Sequence, residues 1–132
     1  MEREAIFDRV RMIIANVMEL DEDEIDLDSS LIDDLGMESV DFINISARIE
    51  EEFNIAIAEG ELWNFGKIFA DESIMKEGKI TARGIKSLRE RFPGGDFQGV
   101  KPGTGLADVL SLIKVKFIVN YLCQRTSAAI AR

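Results

Sequence analysis

Apolar residues in this chain recur at the period of a helix and almost nowhere at the period of a strand. Ile6, Val10, Ile13, Ile14 and Val17 fall at the i, i+3, i+4, i+7 spacing, with Asp8, Arg9, Arg11 and Asn16 between them. That spacing places one buried stripe on a helix expected from about Glu2 to Glu19. A second helix is expected to open at Ser39 and to stop near Asn54. Phe42, Ile43, Ala47, Ile49 and Phe53 are assigned to its inner face, with Ile45 a further candidate, and Asp41, Asn44, Arg48, Glu51 and Glu52 to water. Ile85, Leu88 and Phe92 give a third helix over 81–92, ended by Pro93-Gly94-Gly95. A last helix, capped by Thr104, is read from Leu106, Val109, Leu110, Ile113, Phe117, Tyr121 and Leu122. No segment alternates convincingly at period two, so the expected class is all-α, and 132 residues suit one domain spanning the whole chain.

The connections are as informative as the helices. Leu20 to Glu38 reads as a long acidic loop, with a helical turn about Ser30-Leu31-Ile32-Asp33 and a stop at Gly36. Leu62, Trp63, Phe65, Ile68 and Phe69 form a dense apolar group in irregular or short helical structure. Gly94, Gly95, Gly99, Gly103 and Gly105, with Pro93 and Pro102, mark a loop before the last helix.

Charge is unevenly placed. Through Gly60 there are 18 acidic and 4 basic residues, a balance of −14; from Glu61 on there are 7 acidic and 12 basic, a balance of +5. The first half should attract basic protein surfaces and repel nucleic acid and anionic membranes. Histidine is absent, which removes Ser-His and Cys-His mechanisms and His-ligated zinc. With one cysteine, Cys123, no intramolecular disulfide can form. No set of base, nucleophile and oxyanion donors can be assembled, so no enzyme activity is expected. Met1-Glu2-Arg3-Glu4 lacks the features of a signal peptide, and the apolar stretch Val109–Leu122 is too short to span a bilayer, so the expected location is the cytoplasm and the expected state a monomer. Asp21 to Asp33 fails as a calcium loop, because Ile25, Asp26 and Ile32 stand where an acid or amide, Gly and Glu are needed. Gly94-x4-Gly99 is followed by Val100 rather than lysine, so it is no phosphate-binding loop.

One segment carries a specific pattern. Asp33-Asp34-Leu35-Gly36-Met37-Glu38-Ser39-Val40-Asp41-Phe42 runs on into Arg48-Ile49-Glu50-Glu51-Glu52-Phe53-Asn54-Ile55. It resembles the acyl carrier protein family, in which a D-L-G-x-D-S-L segment opens the second helix and an E-E-E-F-x-I run ends it. The resemblance covers residues 1–57, is weaker over 106–122 and is absent across about 58–105. It implies an acyl-carrier-protein-like helical bundle with an insertion at 58–105. It also implies a 4′-phosphopantetheine arm on Ser39, attached by a phosphopantetheinyl transferase from coenzyme A, that holds acyl groups as thioesters. Glu38, Val40, Asp41, Glu50 and Glu51 match partner-recognition positions, facing basic surfaces of acyl-loading enzymes and acyltransferases. Phe42, Ile43 and Ile57 are expected in an acyl pocket; Trp63 and Phe65, with Ile68 and Phe69, are expected as core in place of the family's third helix or, alternatively, as an extension of that pocket. No metal site and no nucleic-acid partner are expected.

The residues themselves fit such a role. A serine at the junction of a loop and an amphipathic helix exposes its hydroxyl near unpaired N–H groups and the positive end of the helix dipole, which favours a phosphodiester. Ser39 has no base to activate it, so a separate transferase must do so. A bland alternative is that Ser39 merely caps the helix. Two rival functions stand beside a fatty acyl carrier: a peptidyl carrier with the same arm, and an unmodified carrier-fold interaction module.

The chain departs from the family in three places. Glu38-Ser39-Val40 replaces Asp-Ser-Leu; Asn44 and Arg48 alter the acidic helix; and the insertion carries a run of cations, Lys76, Lys79, Arg83, Lys86, Arg89 and Arg91, only partly offset by Glu77 and Glu90. The insertion is either a solvated or internally paired face, or a docking surface for a dedicated acyltransferase or an anionic membrane. Its size suggests a specialised lipid or lipopolysaccharide pathway.

Overall fold

A computed structural model describes residues 2–58, 62, 69–91, 97 and 99–130. Helix α1 (Arg3–Met18) buries Ile6, Val10, Ile13, Ile14 and Ala15, the stripe expected from its spacing. It ends at Glu19, whose left-handed backbone (φ 56) lets its N–H reach the Ala15 carbonyl. Helix α2 (Ser39–Phe53) lies against α1 and closes in the same way at Asn54 (φ 52). Two surface links tie the pair together. Arg48 Nη1 donates to Asn16 Oδ1 at 2.7 Å, and Arg9 stands 3.4 Å from Glu52. Arg48, a departure from the family pattern, thus has a local partner on α1.

On α2 the inner face differs from the one read from sequence. Ile45 and Ile49 are fully buried and Phe42 and Phe53 half-buried, but Ile43 is 69% exposed and Ala47 is also exposed. At 100° per residue Ile43 lies about 200° from Ile45, so the two cannot share a face. The stripe is centred on Ile45 and Ile49, and Ile43 stands outside it.

A small antiparallel hairpin, β1 (Met75–Lys76) and β2 (Lys79–Ile80), falls within the insertion. Its turn residues Glu77 and Gly78 both have positive φ, 55 and 78, the requirement of a tight two-residue hairpin turn. The other elements among the described residues are helices, joined by loops that carry the isolated bridges Ser30–Lys114 and Lys79–Gly105. Helix α3 (Ala82–Arg91) follows at once, with Thr81 Oγ1 accepting the Gly84 N–H at 2.9 Å. The hairpin is also held from behind: Ile80 N–H donates to Thr104 O and Gly103 N–H to Ile80 O, each at 2.8 Å.

The single last helix expected from sequence is two helices, α4 (Leu106–Leu110) and α5 (Val115–Ile130). The break has a long-range cause. The loop between α1 and α2 crosses there and takes the backbone groups a continuous helix would use. Leu31 N–H donates to Ile113 O at 3.0 Å, Val115 N–H to Ser29 O at 3.0 Å, and Lys116 N–H to Leu27 O at 2.9 Å. Thr104 does not cap either helix. Its hydroxyl donates to Lys101 O at 2.7 Å, and the N-cap of α4 is Gly105. α5 packs on α1, and its Arg125 reaches the Ala56 carbonyl at 2.9 Å beyond the end of α2.

One hydrophobic core runs through these elements. It joins Ile14 of α1, Ile45 and Ile49 of α2, Ile80 of the hairpin, Leu88 of α3, Val109 of α4 and Leu122 of α5. Residues of the insertion therefore belong to the same core as the family-like helices. Among the described residues, no helix is long and apolar enough to cross a membrane.

Candidate functional site

The loop that delivers the chain to α2 is fixed from both sides. Leu31, Leu35 and Met37 are buried in the core. Between them Ser30 organises a turn: its N–H donates to Asp34 Oδ2 at 2.7 Å, its hydroxyl accepts the Asp33 N–H at 3.1 Å, and its carbonyl accepts the Asp34 and Leu35 N–H groups at 3.1 Å. Gly36 ends the turn at φ 68, with its N–H on Ile32 O at 3.0 Å. A Cβ at Gly36 would meet nothing within 4 Å, so the backbone angle, rather than crowding, calls for glycine there. Met37 N–H then bonds to Leu31 O at 3.0 Å, turning the chain outward at Glu38.

Helix α2 starts from that point with Glu38, not Ser39, as its N-cap. The Glu38 N–H donates to Asp41 Oδ2 at 2.8 Å, and the Asp41 N–H to the Glu38 carbonyl at 2.9 Å. Ser39 is the first residue inside the helix and is exposed. Among the described residues its hydroxyl makes no hydrogen bond, and neither it nor Val40 has a bonded N–H. The bland alternative of a capping serine is thereby corrected. A capping serine would turn its oxygen onto the N–H two or three residues ahead, whereas here Asp41 serves the start of the helix and Ser39 holds nothing.

The residues match what a covalently bound phosphodiester needs. An unengaged hydroxyl projects at the positive end of a four-turn helix whose first two N–H groups have no partner. Val40 (59% exposed) and Ile43 (69% exposed) lie one turn apart, next to the serine. Glu38 is exposed and Asp41 half-exposed beside them, so an apolar spot rimmed by acids surrounds the hydroxyl. Glu51 is exposed near the far end of α2. Glu50 is placed differently: half-buried, it accepts the Ile57 N–H on Oε2 at 3.1 Å and so secures the chain leaving the helix.

Of the residues assigned to an acyl pocket, Phe42 and Ile57 are half-buried against the core. Ile43 is not among them, because it faces solvent on the serine's side of α2. Trp63 and Phe65 lie outside the described residues. Ile43 as part of the outer surface was missed by the sequence reading, which sorted it inward by hydrophobicity. A groove between α1 and α2, lined by Arg9, Met12, Ile13, Asn16, Arg48, Glu51 and Glu52, lies toward the opposite end of α2.

Residues 8–68 match the family model described as a phosphopantetheine attachment site. The match extends past residue 57, where the resemblance read from sequence gave out. The chain is 36% identical to an acyl carrier protein of Petrotoga mobilis over 62 residues, which is 47% of this chain and 73% of that protein. It is 41% identical over 56 residues to an acyl carrier protein of Clostridium acetobutylicum, covering 42% of this chain and 73% of the relative. A third relative, the acyl carrier protein AcpXL of Rhizobium meliloti, is 43% identical over 72 residues, covering 52% of this chain and 75% of that protein. No solved structure matches the chain.

Proposed function

The chain belongs to the acyl carrier protein family, and on that footing we propose that Ser39 is the residue that bears its covalent 4′-phosphopantetheine. Members of this family are carriers rather than enzymes, and they work with a phosphopantetheinyl transferase and with acyl-handling enzymes. The observation that carries the assignment is the state of the Ser39 hydroxyl: exposed, without a hydrogen bond among the described residues, one residue inside a helix already capped by Glu38. When bound, the group supplies a terminal thiol that holds an acyl chain as a thioester. The protein's part is to present Ser39 to the transferase, to meet the phosphodiester with the free Ser39 and Val40 N–H groups, and to orient partners about α2.

Glu38, Asp41 and Glu51 supply the charge that steers basic partner surfaces, and Val40 and Ile43 supply the apolar contact beside the arm. Charges of this kind raise encounter rate more than affinity, which suits a carrier that must let go. Phe42 and Ile57, half-buried against the core, are our candidates among the described residues to line a space for the acyl chain. The similarity to AcpXL, a carrier named apart from the plain acyl carrier proteins, supports a specialised lipid pathway, as does the size of the insertion.

Intact mass after incubation with coenzyme A and a broad-specificity phosphopantetheinyl transferase tests the assignment, with Ser39→Ala as control. A single phosphopantetheinyl addition that disappears in the control is expected. An addition that persists in Ser39→Ala would move the attachment elsewhere; none with several transferases would favour the unmodified interaction module.

A further inference from the structure

The insertion carries a group of cations that the core, the carrier site and the fold leave unused. Lys76 and Lys79 are cross-strand partners in the hairpin, so their side chains share one face, and both are exposed. The opposite face holds the other pair, Met75 and Ile80, in the core. Arg83 and Lys86 stand one turn apart on the exposed side of α3, with Arg89 exposed beyond them. Lys101 is exposed on the loop that pairs with β2. Among the described residues, no carboxylate pairs with Lys76, Lys79, Arg83 or Lys86. The internally paired face considered from sequence is therefore not what these residues form. Like charges directly opposite in a hairpin and one turn apart on a helix both cost stability. The fold tolerates that repulsion twice within a dozen residues.

The cations are also held rigidly. Gly84 of α3 is pressed against the hairpin so closely that a Cβ would run into the Ile74 carbonyl oxygen and stand 2.9 Å from Ile80 Cγ1. Leu106, at the start of α4, donates its N–H to Gly78 O at 3.1 Å and remains 36% exposed beside the lysine pair. From there α4 leads to Ile113, whose carbonyl holds Leu31, and the Leu31 carbonyl holds Met37 just ahead of Ser39. The patch is thus set in a fixed relation to the carrier serine.

We propose that this hairpin-and-helix face docks the carrier on an anionic lipid surface. Protein interfaces are built on aromatic or arginine anchors in desolvated pockets and are poor in lysine. Four of the six cations named here are lysines, and the apolar element beside the lysine pair is a single leucine. Spread lysine charge with a small apolar contact is the chemistry that anionic headgroups attract. The net charge of −9 does not forbid it. The Debye length at physiological salt is about 8 Å, so a surface feels chiefly the charges nearest to it, and on this face the cations outnumber the exposed Glu77 and Glu90 among them.

The test is co-sedimentation of the full-length phosphopantetheinylated chain with phosphatidylcholine vesicles, with and without phosphatidylglycerol. Binding only to the anionic vesicles, falling as salt rises, is expected. Each cation contributes roughly fivefold to partition, so Lys79→Glu with Lys86→Glu should lower it at least about tenfold, while Lys79→Arg with Lys86→Arg should retain it. Lys76→Gln with Lys79→Gln should weaken binding and at the same time raise Tm, because it removes the cross-strand repulsion. Phosphopantetheine loading of these variants should be unchanged, which separates this proposal from the one about Ser39. Absence of binding at low salt, or binding indifferent to the charge reversals, overturns the proposal. Capture of soluble polyglutamate without capture of vesicles would also overturn it, giving the face to an acidic protein instead.

Discussion

Replacing Gly84 by alanine sets two effects of opposite sign against each other. Gly84 lies inside α3, where alanine is favoured over glycine by about 1 kcal/mol. From helix propensity alone Gly84→Ala should stabilise. The packing says otherwise. The new methyl would press on the Ile74 carbonyl oxygen and come within 2.9 Å of Ile80 Cγ1. That carbonyl cannot step aside, because it accepts the Thr81 N–H at 2.8 Å and the Thr81 hydroxyl at 3.2 Å, and Thr81 starts the helix. Overpacking of this kind costs about 1–3 kcal/mol, and fixed backbone places this site at the upper end of the range. The net expectation is a loss of roughly 1–2 kcal/mol, which for a chain of this size lowers Tm by about 3–8 °C. Thermal and urea unfolding followed by circular dichroism measure it, with the exposed Lys86→Ala as a control expected to stay within about 0.5 kcal/mol. A Gly84→Ala protein as stable as the parent, or more so, would refute the close approach of α3 to the hairpin and with it the rigid patch.

Two further substitutions probe α2. Ile45→Ala should cost about 2–5 kcal/mol, since the side chain is fully buried. Ile43→Ala should leave unfolding almost unchanged yet slow acyl transfer from a partner enzyme; equal stability losses at both positions would return Ile43 to the core. Asp41→Ala removes the carboxylate that holds the Glu38 N–H, and a loss of about 1 kcal/mol in urea unfolding is expected, with no loss arguing that the helix start is held otherwise.

How much of this could be read in the sequence depended on how local the cause was. The limits of α1 and α2 were legible to within a residue, because both follow from apolar spacing and from an end residue that tolerates positive φ. Ser39 stands out as a candidate from its setting between Asp34-Leu35-Gly36 and the acidic end of α2. Ile43 was not legible, because a side chain kept apolar for an outer surface looks the same in the sequence as one kept for the core. The break between α4 and α5 was hidden for another reason: Val109 to Leu122 keeps its helical spacing through the gap. The interruption comes from Leu27, Ser29 and Leu31, which reach those backbone groups from far along the chain. The hairpin escaped notice because strands of two residues cannot show an alternation, and Glu-Gly is a less familiar turn pair than Asn-Gly.

The bonds from Leu31 to Ile113, from Val115 to Ser29 and from Lys116 to Leu27 also set an order of events during synthesis. A growing chain that has just released α2 already contains the serine and most of the family pattern, but not the residues that frame the loop before it. Those come much later in the chain, where α4 gives way to α5. The frame around that loop is complete only once the start of α5 has been made, so the approach to α2 takes its final form after α2 itself.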